Sequence, residues 1–154
     1  MRLIRTLTSL LVLALFLIGM TLSGCSQKPK TGPEKVRWDR IMCARCIMAV
    51  SDHNYSAQVR GGPAEKKTKV YFFDDLGCAV LWLDEQPWHN DPRTEIWVTA
   101  HTDGTWIDAE KCYFSTGHIT PMDFELGAQL THDPGTLNFE QAQQHIRQRE
   151  QAAH

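Results

Sequence analysis

Residues 70–83 read Val-Tyr-Phe-Phe-Asp-Asp-Leu-Gly-Cys-Ala-Val-Leu-Trp-Leu, and this stretch decides the fold class of the chain. The β-branched and aromatic run at 70–73 is typical of a strand. Asp74 then predicts the N-cap of a helix that ends near Gln86. The apolar residues of this helix recur at helical spacing on one face: Leu76, Ala79, Val80 and Leu83. A strand that leads directly into a largely apolar helix predicts a mixed fold.

Further strands and a second long helix are predicted around this stretch. The last helix, residues 139–151, has the clearest start, because Asn138 followed by Gln141 resembles a capping box. Residues 125–130 are expected to form a helical turn. The other predicted strands cover residues 36–38, 55–59, 95–100, 106–108 and 111–115. The fold class is therefore expected to be α+β.

The beginning of the chain has the pattern of an export signal. Arg2 and Arg5 precede an apolar run at 10–18 that is too short to span a bilayer comfortably. The sequence Leu-Ser-Gly-Cys at 22–25 resembles the lipobox of bacterial lipoproteins. We therefore expect a signal peptide at 1–24 and a diacylglycerol anchor on Cys25. Because Ser rather than Asp follows Cys25, the resemblance to the sorting rule favours a lipid-anchored, periplasm-facing protein of the outer membrane.

The part that follows the predicted signal is small and mildly acidic. Residues 25–35 contain Pro, Lys and Gly and are expected to form a short tether. Removing 24 residues from a chain of 154 leaves 130, which is one average domain or two very small ones. It also removes two of the 16 basic residues, so that 14 remain against 18 acidic residues. This charge argues against a nucleic-acid partner.

Soft sulfur is concentrated in one short segment, Met-Cys-Ala-Arg-Cys-Ile-Met at 42–48. Thiolate and thioether ligands select Cu(I), zinc or iron–sulfur centres over hard cations. Protein zinc sites use Cys, His and carboxylate, whereas a thioether is a copper ligand. The segment therefore predicts a Cu(I) site centred on Cys46 and Met48, with Cys43 available as a third ligand. Met122 and His118, in a loop at 117–122, are further candidate ligands.

Two other functions remain open from the residues alone. A structural zinc module would use Cys43, Cys46, Cys78 and Cys112, although the last two stand far apart in the sequence. A thiol–disulfide oxidoreductase would use Cys43 and Cys46, although no helix is expected after this pair. Cys78 itself is interpreted as a core thiol, and the Asp74–Asp75 pair as a helix cap. No catalytic constellation stands out, so we expect the protein not to be an enzyme.

Several separate motifs together resemble those of the NosL family. These are the lipobox, Cys-Ala-Arg-Cys-Ile-Met-Ala-Val at 43–50, Phe-Asp-Asp-Leu-Gly-Cys at 73–78, Trp-Ile-Asp-Ala at 106–109, Thr-Pro-Met at 120–122 and Asn-Phe-Glu at 138–140. The resemblance implies two homologous ββαβ units, which we place at 36–98 and 99–154. A faint internal repeat agrees, because Phe-Asp-Asp at 73–75 and Phe-Glu-Gln at 139–141 each open a helix.

The same resemblance implies a function. NosL proteins are periplasm-facing lipoproteins that act as copper chaperones for nitrous oxide reductase. It implies that Cys46 and Met48 bind Cu(I), with Cys43 as a third candidate. The expected partners are nitrous oxide reductase, its membrane-associated copper-site assembly machinery, and the lipid bilayer through Cys25. The family usually has Gly where this chain has Ile47, and a β-branched residue disfavours the positive φ that Gly permits.

Overall fold

The computed structural model of the protein describes residues 30–153. The predicted signal peptide, the expected lipidation site Cys25 and the start of the predicted tether lie outside these residues. Neither helix within 30–153 has the length and apolar content that crossing a membrane would require. The structure therefore bears on the metal site and its surroundings, and the expected anchor stays a prediction.

Within residues 30–153 the structure has six strands and two helices, which confirms the α+β class. β2 leads into α1 with only a two-residue connection, as the run of apolar residues at 70–83 predicts. A short 3₁₀ turn at Ala109–Lys111 follows β4. In chain order the elements are β1 Ala57–Gly61, β2 Lys69–Phe73, α1 Leu76–Asp84, β3 Glu95–Thr99, β4 Trp106–Asp108, β5 Tyr113–Ser115, β6 Gly127–Gln129 and α2 Phe139–Ala152.

The strands form two antiparallel sheets. The larger sheet has the order β2-β1-β3-β4, so the central strand β1 pairs with β2 on one side and β3 on the other. Ala57 lies opposite Phe73 of β2 and opposite Val98 of β3. The smaller sheet pairs β5 with β6, and a bridge between Ala100 and Ala128 connects the two sheets. α1 and α2 contact each other, and Ala142 and Ile146 of α2 are fully buried in the core.

The segment before the sulfur motif is held by buried polar side chains. The Gln58 side chain both donates to the Glu34 carbonyl and accepts from the Glu34 N–H, as a neighbouring strand would. Arg60, which is also buried, donates to the Gly32 carbonyl and pairs with the Glu34 carboxylate. The end of the predicted tether is therefore hydrogen-bonded to the larger sheet. The strand predicted at 36–38 is absent, because these residues lead into a turn.

Three local predictions are tested by the remaining elements. The capping box of α2 is confirmed, since Asn138 and Gln141 exchange side-chain and backbone hydrogen bonds. The helical turn expected at 125–130 is wrong, because Gly127–Gln129 pairs with β5 as a strand. The N-cap of α1 is Asp75 rather than Asp74, and its side chain accepts from the Gly77 N–H. The proposed homology of two units, and their division at 98/99, stay predictions.

Candidate metal centre

The Cys43–Met48 segment forms the tip of a small hairpin. Met42 and Ala49 form an antiparallel bridge, and the Cys43 N–H donates to the Met48 carbonyl at 2.8 Å. The Ile47 N–H closes the tip by donating to the Cys43 carbonyl at 3.1 Å. These bonds hold two cysteines and Met48 on one short turn. We call residues 41–50 the sulfur hairpin.

One backbone hydrogen bond ties the sulfur hairpin to the larger sheet. The Ala44 N–H donates to the Phe72 carbonyl of β2 at 2.9 Å. The chain leaves β2 after Phe73, passes through Asp74, and starts α1 at Leu76, which places Cys78 in the first turn of the helix. Residues about 30 positions apart in the sequence therefore meet at the junction between β2 and α1.

This junction assembles four metal-ligating groups. The sulfur atoms of Cys43, Cys46 and Cys78 and one carboxylate oxygen of Asp74 all lie within 4.8 Å of one another. Cys43 and Cys78 are fully buried, Asp74 is 2% exposed, and Cys46 is partly exposed. All three cysteines are free thiols. A group of three cysteine sulfurs and a carboxylate oxygen at this spacing can bind a metal ion.

The carboxylate of Asp74 is incompletely satisfied. The Cys46 thiol donates to Asp74 Oδ2 at 3.2 Å. The other oxygen, Oδ1, is buried and has no hydrogen-bond partner among the described residues. An unpaired buried carboxylate oxygen costs free energy, because it has lost its water without gaining a donor. A cation bound by the three sulfurs would compensate this oxygen electrostatically.

The three thiols differ in acidity. A hydrogen bond from Cys78 lowers the pKa of Cys43 to about 6. Burial is the main cause that raises the pKa of Cys46 to about 12. The pKa of Cys78 is also raised, first by its hydrogen bond to Cys43 and then by burial. A metal ion that binds Cys46 and Cys78 would therefore have to displace a proton from each of these sulfurs, whereas Cys43 loses its proton more easily.

A residue of the hairpin tip connects the site to α2. Arg45 forms an ion pair with Glu150 near the end of α2, and its guanidinium also lies beside the Cys78 thiol. Both members of the ion pair are about a quarter exposed. This contact fixes the tip between β2, α1 and α2, so that the two hairpin cysteines face the start of α1.

The hairpin tip is strained and exposes apolar side chains. Ile47 has a φ of 65°, in the left-handed region that a β-branched residue rarely adopts. Ile47 therefore adopts the left-handed backbone conformation that Gly would allow, and this conformation costs about 1–2 kcal/mol of folding free energy. Ile47 is 62% exposed, and Met42 and Met48 are 51% and 45% exposed. The large hydrophobic side chains that the hairpin exposes are therefore two thioethers and one aliphatic side chain.

The structure places the other predicted site residues as follows. The Met122 backbone N–H donates to Asp75 Oδ2 at 3.3 Å, next to the site, and its side chain packs against the core. His118 is not a member of the four-residue group, and its two ring nitrogens contact the hydroxyls of Tyr55 and Ser115. Cys112 is buried and its thiol donates to the Ala109 carbonyl, also outside the group.

Two members of the group were missed by the sequence analysis. Cys78 was interpreted as a core thiol, and it is both buried and a member of the group. Asp74 was interpreted as the helix cap, whereas Asp75 has that role and leaves Asp74 facing the sulfur atoms. The spacing contained a usable signal. Asp74 directly follows β2, and Cys78 follows four residues later in the first turn of α1, so both side chains can face the same side.

No family model matches the chain, and no curated protein matches it significantly. The group of three cysteines and Asp74 is therefore the feature of the described residues that bears most directly on function.

Proposed function

We propose that this protein is a membrane-anchored metallochaperone that binds Cu(I) and delivers it for the maturation of nitrous oxide reductase. The observation that carries the proposal is the group of three cysteine sulfurs and an unsatisfied Asp74 oxygen beneath a methionine-bearing hairpin. The geometry of this group is sufficient to bind a metal ion. The identity of the ion and its destination are the proposal.

The ligand chemistry supports copper as the cargo. Sulfur-rich, low-coordinate sites favour Cu(I), whereas Cu(II) prefers tetragonal sites with nitrogen and oxygen ligands. Met42 and Met48 add two exposed thioethers on the outer side of the site. Cys46 is the partly exposed thiol of the group, so a ligand from another molecule can approach the ion at Cys46. A chaperone needs such an exchangeable ligand in order to release its cargo.

The destination rests on the motifs that resemble those of NosL proteins. Nitrous oxide reductase and its membrane-associated assembly machinery are the proposed recipients of the copper. A lipid anchor on Cys25, at the periplasmic face of the outer membrane, would keep the protein on a membrane surface. Tethering raises the effective concentration of a binding partner without adding a contact. The protein would act as a carrier and not as an enzyme.

A competition titration under anaerobic, reducing conditions tests the proposal. We expect the protein without its signal peptide to take up one Cu(I) per chain from a cuprous chelator such as bicinchoninate. Cu(I)-loaded protein should then restore copper to metal-free nitrous oxide reductase in the presence of its assembly machinery. Failure to compete with the chelator would contradict copper binding. Competition without any delivery would leave a copper site and contradict the chaperone role.

A structural zinc site is the second candidate, and one observation favours it. Three thiolates and a carboxylate form a four-ligand set of the kind that closes a tetrahedral zinc site. This set replaces the one expected from the sequence, because Asp74 takes the place of Cys112. A structural zinc site predicts purified protein with one zinc per chain and a large loss of thermal stability after chelation. The copper proposal predicts a metal-free protein that stays folded.

The thiol–disulfide oxidoreductase is less well supported by the geometry. The catalytic cysteine pair of such an enzyme usually precedes a helix, where its thiolate is stabilised. Here Cys43 and Cys46 lie in a hairpin, and the adjacent helix carries Cys78 instead. The thiol with the low pKa, Cys43, is fully buried and therefore badly placed to attack a disulfide of another protein. A reductant-dependent disulfide-exchange assay on the metal-free protein would test this candidate.

A further inference from the structure

The outer side of the metal site is unusually apolar for an exposed surface. Five large hydrophobic side chains are exposed among residues 30–153, and three of them, Met42, Ile47 and Met48, lie within seven residues of the chain. Ile47 and Met48 directly follow Cys46, the partly exposed thiol of the metal group, and Met42 precedes Cys43 in the same hairpin. Clustered exposed apolar side chains mark interaction surfaces more often than scattered ones do.

Backbone strain at the centre of this cluster supports a role in contact. Ile47 adopts a left-handed conformation, with a φ of 65°, and exposes most of its side chain. Gly would adopt the same conformation without strain, and an exposed Ile side chain gains little from burial. The folded monomer therefore does not benefit from Ile at this position. Strained backbone conformations cluster at active sites and ligand-binding segments, so the strain at Ile47 is consistent with a role in contact.

The turn that leads into the sulfur hairpin adds positive charge. Lys35, Arg37 and Arg40 are exposed in residues 35–41, against one acidic residue, Asp39. The Arg37 carbonyl accepts from the Ile41 N–H, so this turn is continuous with the base of the hairpin.

Arg37 and Arg40 differ from the other arginines of the structure. Seven arginines lie within 30–153, and Arg37 and Arg40 alone among them lack an ion-pair partner there. The five others are paired with carboxylates: Arg45, Arg60, Arg93, Arg147 and Arg149. Two guanidinium groups without an ion-pair partner therefore lie in the turn that leads into the exposed apolar cluster, and they would complement an acidic rim on a partner.

We propose that Met42, Ile47 and Met48, flanked by Arg37 and Arg40, form a docking surface for the protein that accepts the metal, and that this acceptor presents an apolar face with an acidic rim. We call these five residues the docking surface. The inference rests on the proposed function. A lipid surface would also suit apolar and basic side chains, but the docking surface is on the hairpin that carries Cys46, and an occupant that receives the ion there must supply a metal ligand. Phospholipids offer no soft ligand.

Docking of this kind places the acceptor's ligand beside the bound ion. A bond from Cu(I) to a sulfur or imidazole of the acceptor forms while the bond to the Cys46 sulfur breaks. The ion stays monovalent throughout, and the released Cys46 thiolate takes a proton from solvent. Because charge complementarity acts mainly on association, the docking surface should control the rate of transfer and its dependence on salt.

The test compares transfer to a protein acceptor with transfer to a small chelator. Cu(I)-loaded protein is mixed with bicinchoninate, or with the metal-free assembly machinery of nitrous oxide reductase named above. The double variant Arg37→Glu/Arg40→Glu should transfer copper to the chelator at the wild-type rate. Its transfer rate to the protein acceptor should fall at least tenfold and lose most of its salt dependence. Ile47→Gly should slow the same transfer at least threefold.

The matched control is Lys66→Glu/Lys67→Glu, which reverses two exposed charges in the β1–β2 connection and should leave both transfers unchanged. Equal rates of transfer to the acceptor by the wild type and Arg37→Glu/Arg40→Glu would overturn the inference. It would also be overturned if the wild type transferred copper to the protein acceptor no faster than to the chelator. If Arg37→Glu/Arg40→Glu lost binding to vesicles of phosphatidylglycerol and phosphatidylcholine but transferred copper to the acceptor at the wild-type rate, the inference would also be overturned. The surface would then be assigned to lipid. Cu(I) uptake by the wild type from the chelator is measured first. If the wild type takes up no copper, the proposed function itself fails; if it does, the results above test the docking surface alone.

Discussion

The metal site has an exposed half and a buried half that the fold holds in different ways. The exposed half is the hairpin tip with the partly exposed Cys46, and its backbone is strained at Ile47. The buried half is the junction between β2 and α1, where Asp74 and Cys78 are packed in the core. Cys43 lies between them, because it belongs to the hairpin and is fully buried. A site built in this way can hold an ion on rigid ligands and release it at a replaceable one.

Removal of the exposed thiol should have the largest effect on metal affinity. Cys46→Ser replaces a soft ligand by a hydroxyl at a partly exposed position, so folding should be little affected. We expect Cu(I) affinity to fall by about two orders of magnitude or more, by comparison with the 10–100-fold cost of losing a residue that only supports a ligand. Chelator competition measures the change.

The buried thiol Cys112 provides the matched control for this experiment. Cys112→Ala removes a core sulfur outside the group and should cost about 1–2 kcal/mol of stability, with Cu(I) affinity unchanged. Equal affinity losses in the two variants would show that the effect is one of folding and not of ligation.

The adjacent residues Asp74 and Asp75 should separate affinity from stability. Asp74→Asn keeps the shape of the side chain and removes the charge that faces the sulfurs, so metal affinity should fall about 10–100-fold. Asp75→Ala removes the N-cap of α1 and should cost about 1 kcal/mol of the free energy of unfolding. Chelator competition and urea unfolding of both variants check the pair. A lower metal affinity in Asp75→Ala alone would reverse the assignment.

Metal binding should release protons, and the buried and exposed halves should both contribute. Cys46, with its pKa raised to about 12, and Cys78, with its pKa also raised, are neutral thiols near pH 8. Cys43, with a pKa of about 6, is already a thiolate there. Apparent affinity should therefore increase about tenfold per pH unit for each of these two thiols that binds the ion. Competition titrations between pH 7 and 9 measure the slope. A slope of zero would mean that neither Cys46 nor Cys78 is a ligand.

The smallest expected effect is a gain in stability at the hairpin tip. Ile47→Gly should relieve the left-handed strain and stabilise the metal-free protein by about 1 kcal/mol. Part of this gain is offset by the greater freedom of Gly in the unfolded chain. Urea unfolding under reducing conditions measures the difference. Destabilisation by this substitution would mean that the exposed Ile side chain makes contacts that outweigh its backbone strain.

The sequence predicts the parts of this molecule that depend on local pattern. The strand and helix at 70–84 follow from apolar runs, and the start of α2 follows from Asn138 and Gln141. The strand at 127–129 was missed because its pairing with β5 overrides its local preference. Gly127 is needed there, since a Cβ would lie 2.6 Å from the His118 ring.

The candidate site was only half predicted, for a physical reason. Cys43, Cys46 and Met48 are close in the sequence, so their spacing alone suggests a metal site. Asp74 and Cys78 come close to Cys43 and Cys46 because the hairpin is attached to β2 by the hydrogen bond from the Ala44 N–H to the Phe72 carbonyl. No local sequence pattern reveals this contact. The sequence therefore predicts the two cysteines of the hairpin, and it does not predict the two residues at the junction between β2 and α1.

The most direct test of the account is the X-ray absorption spectrum of the Cu(I)-loaded protein at the copper edge. The account predicts a monovalent ion with at least two sulfur ligands, and the loss of one sulfur in Cys46→Ser. A coordination shell made mainly of nitrogen and oxygen, or a spectrum unchanged by Cys46→Ser, would contradict the assignment of the three cysteines and Asp74 as a copper site.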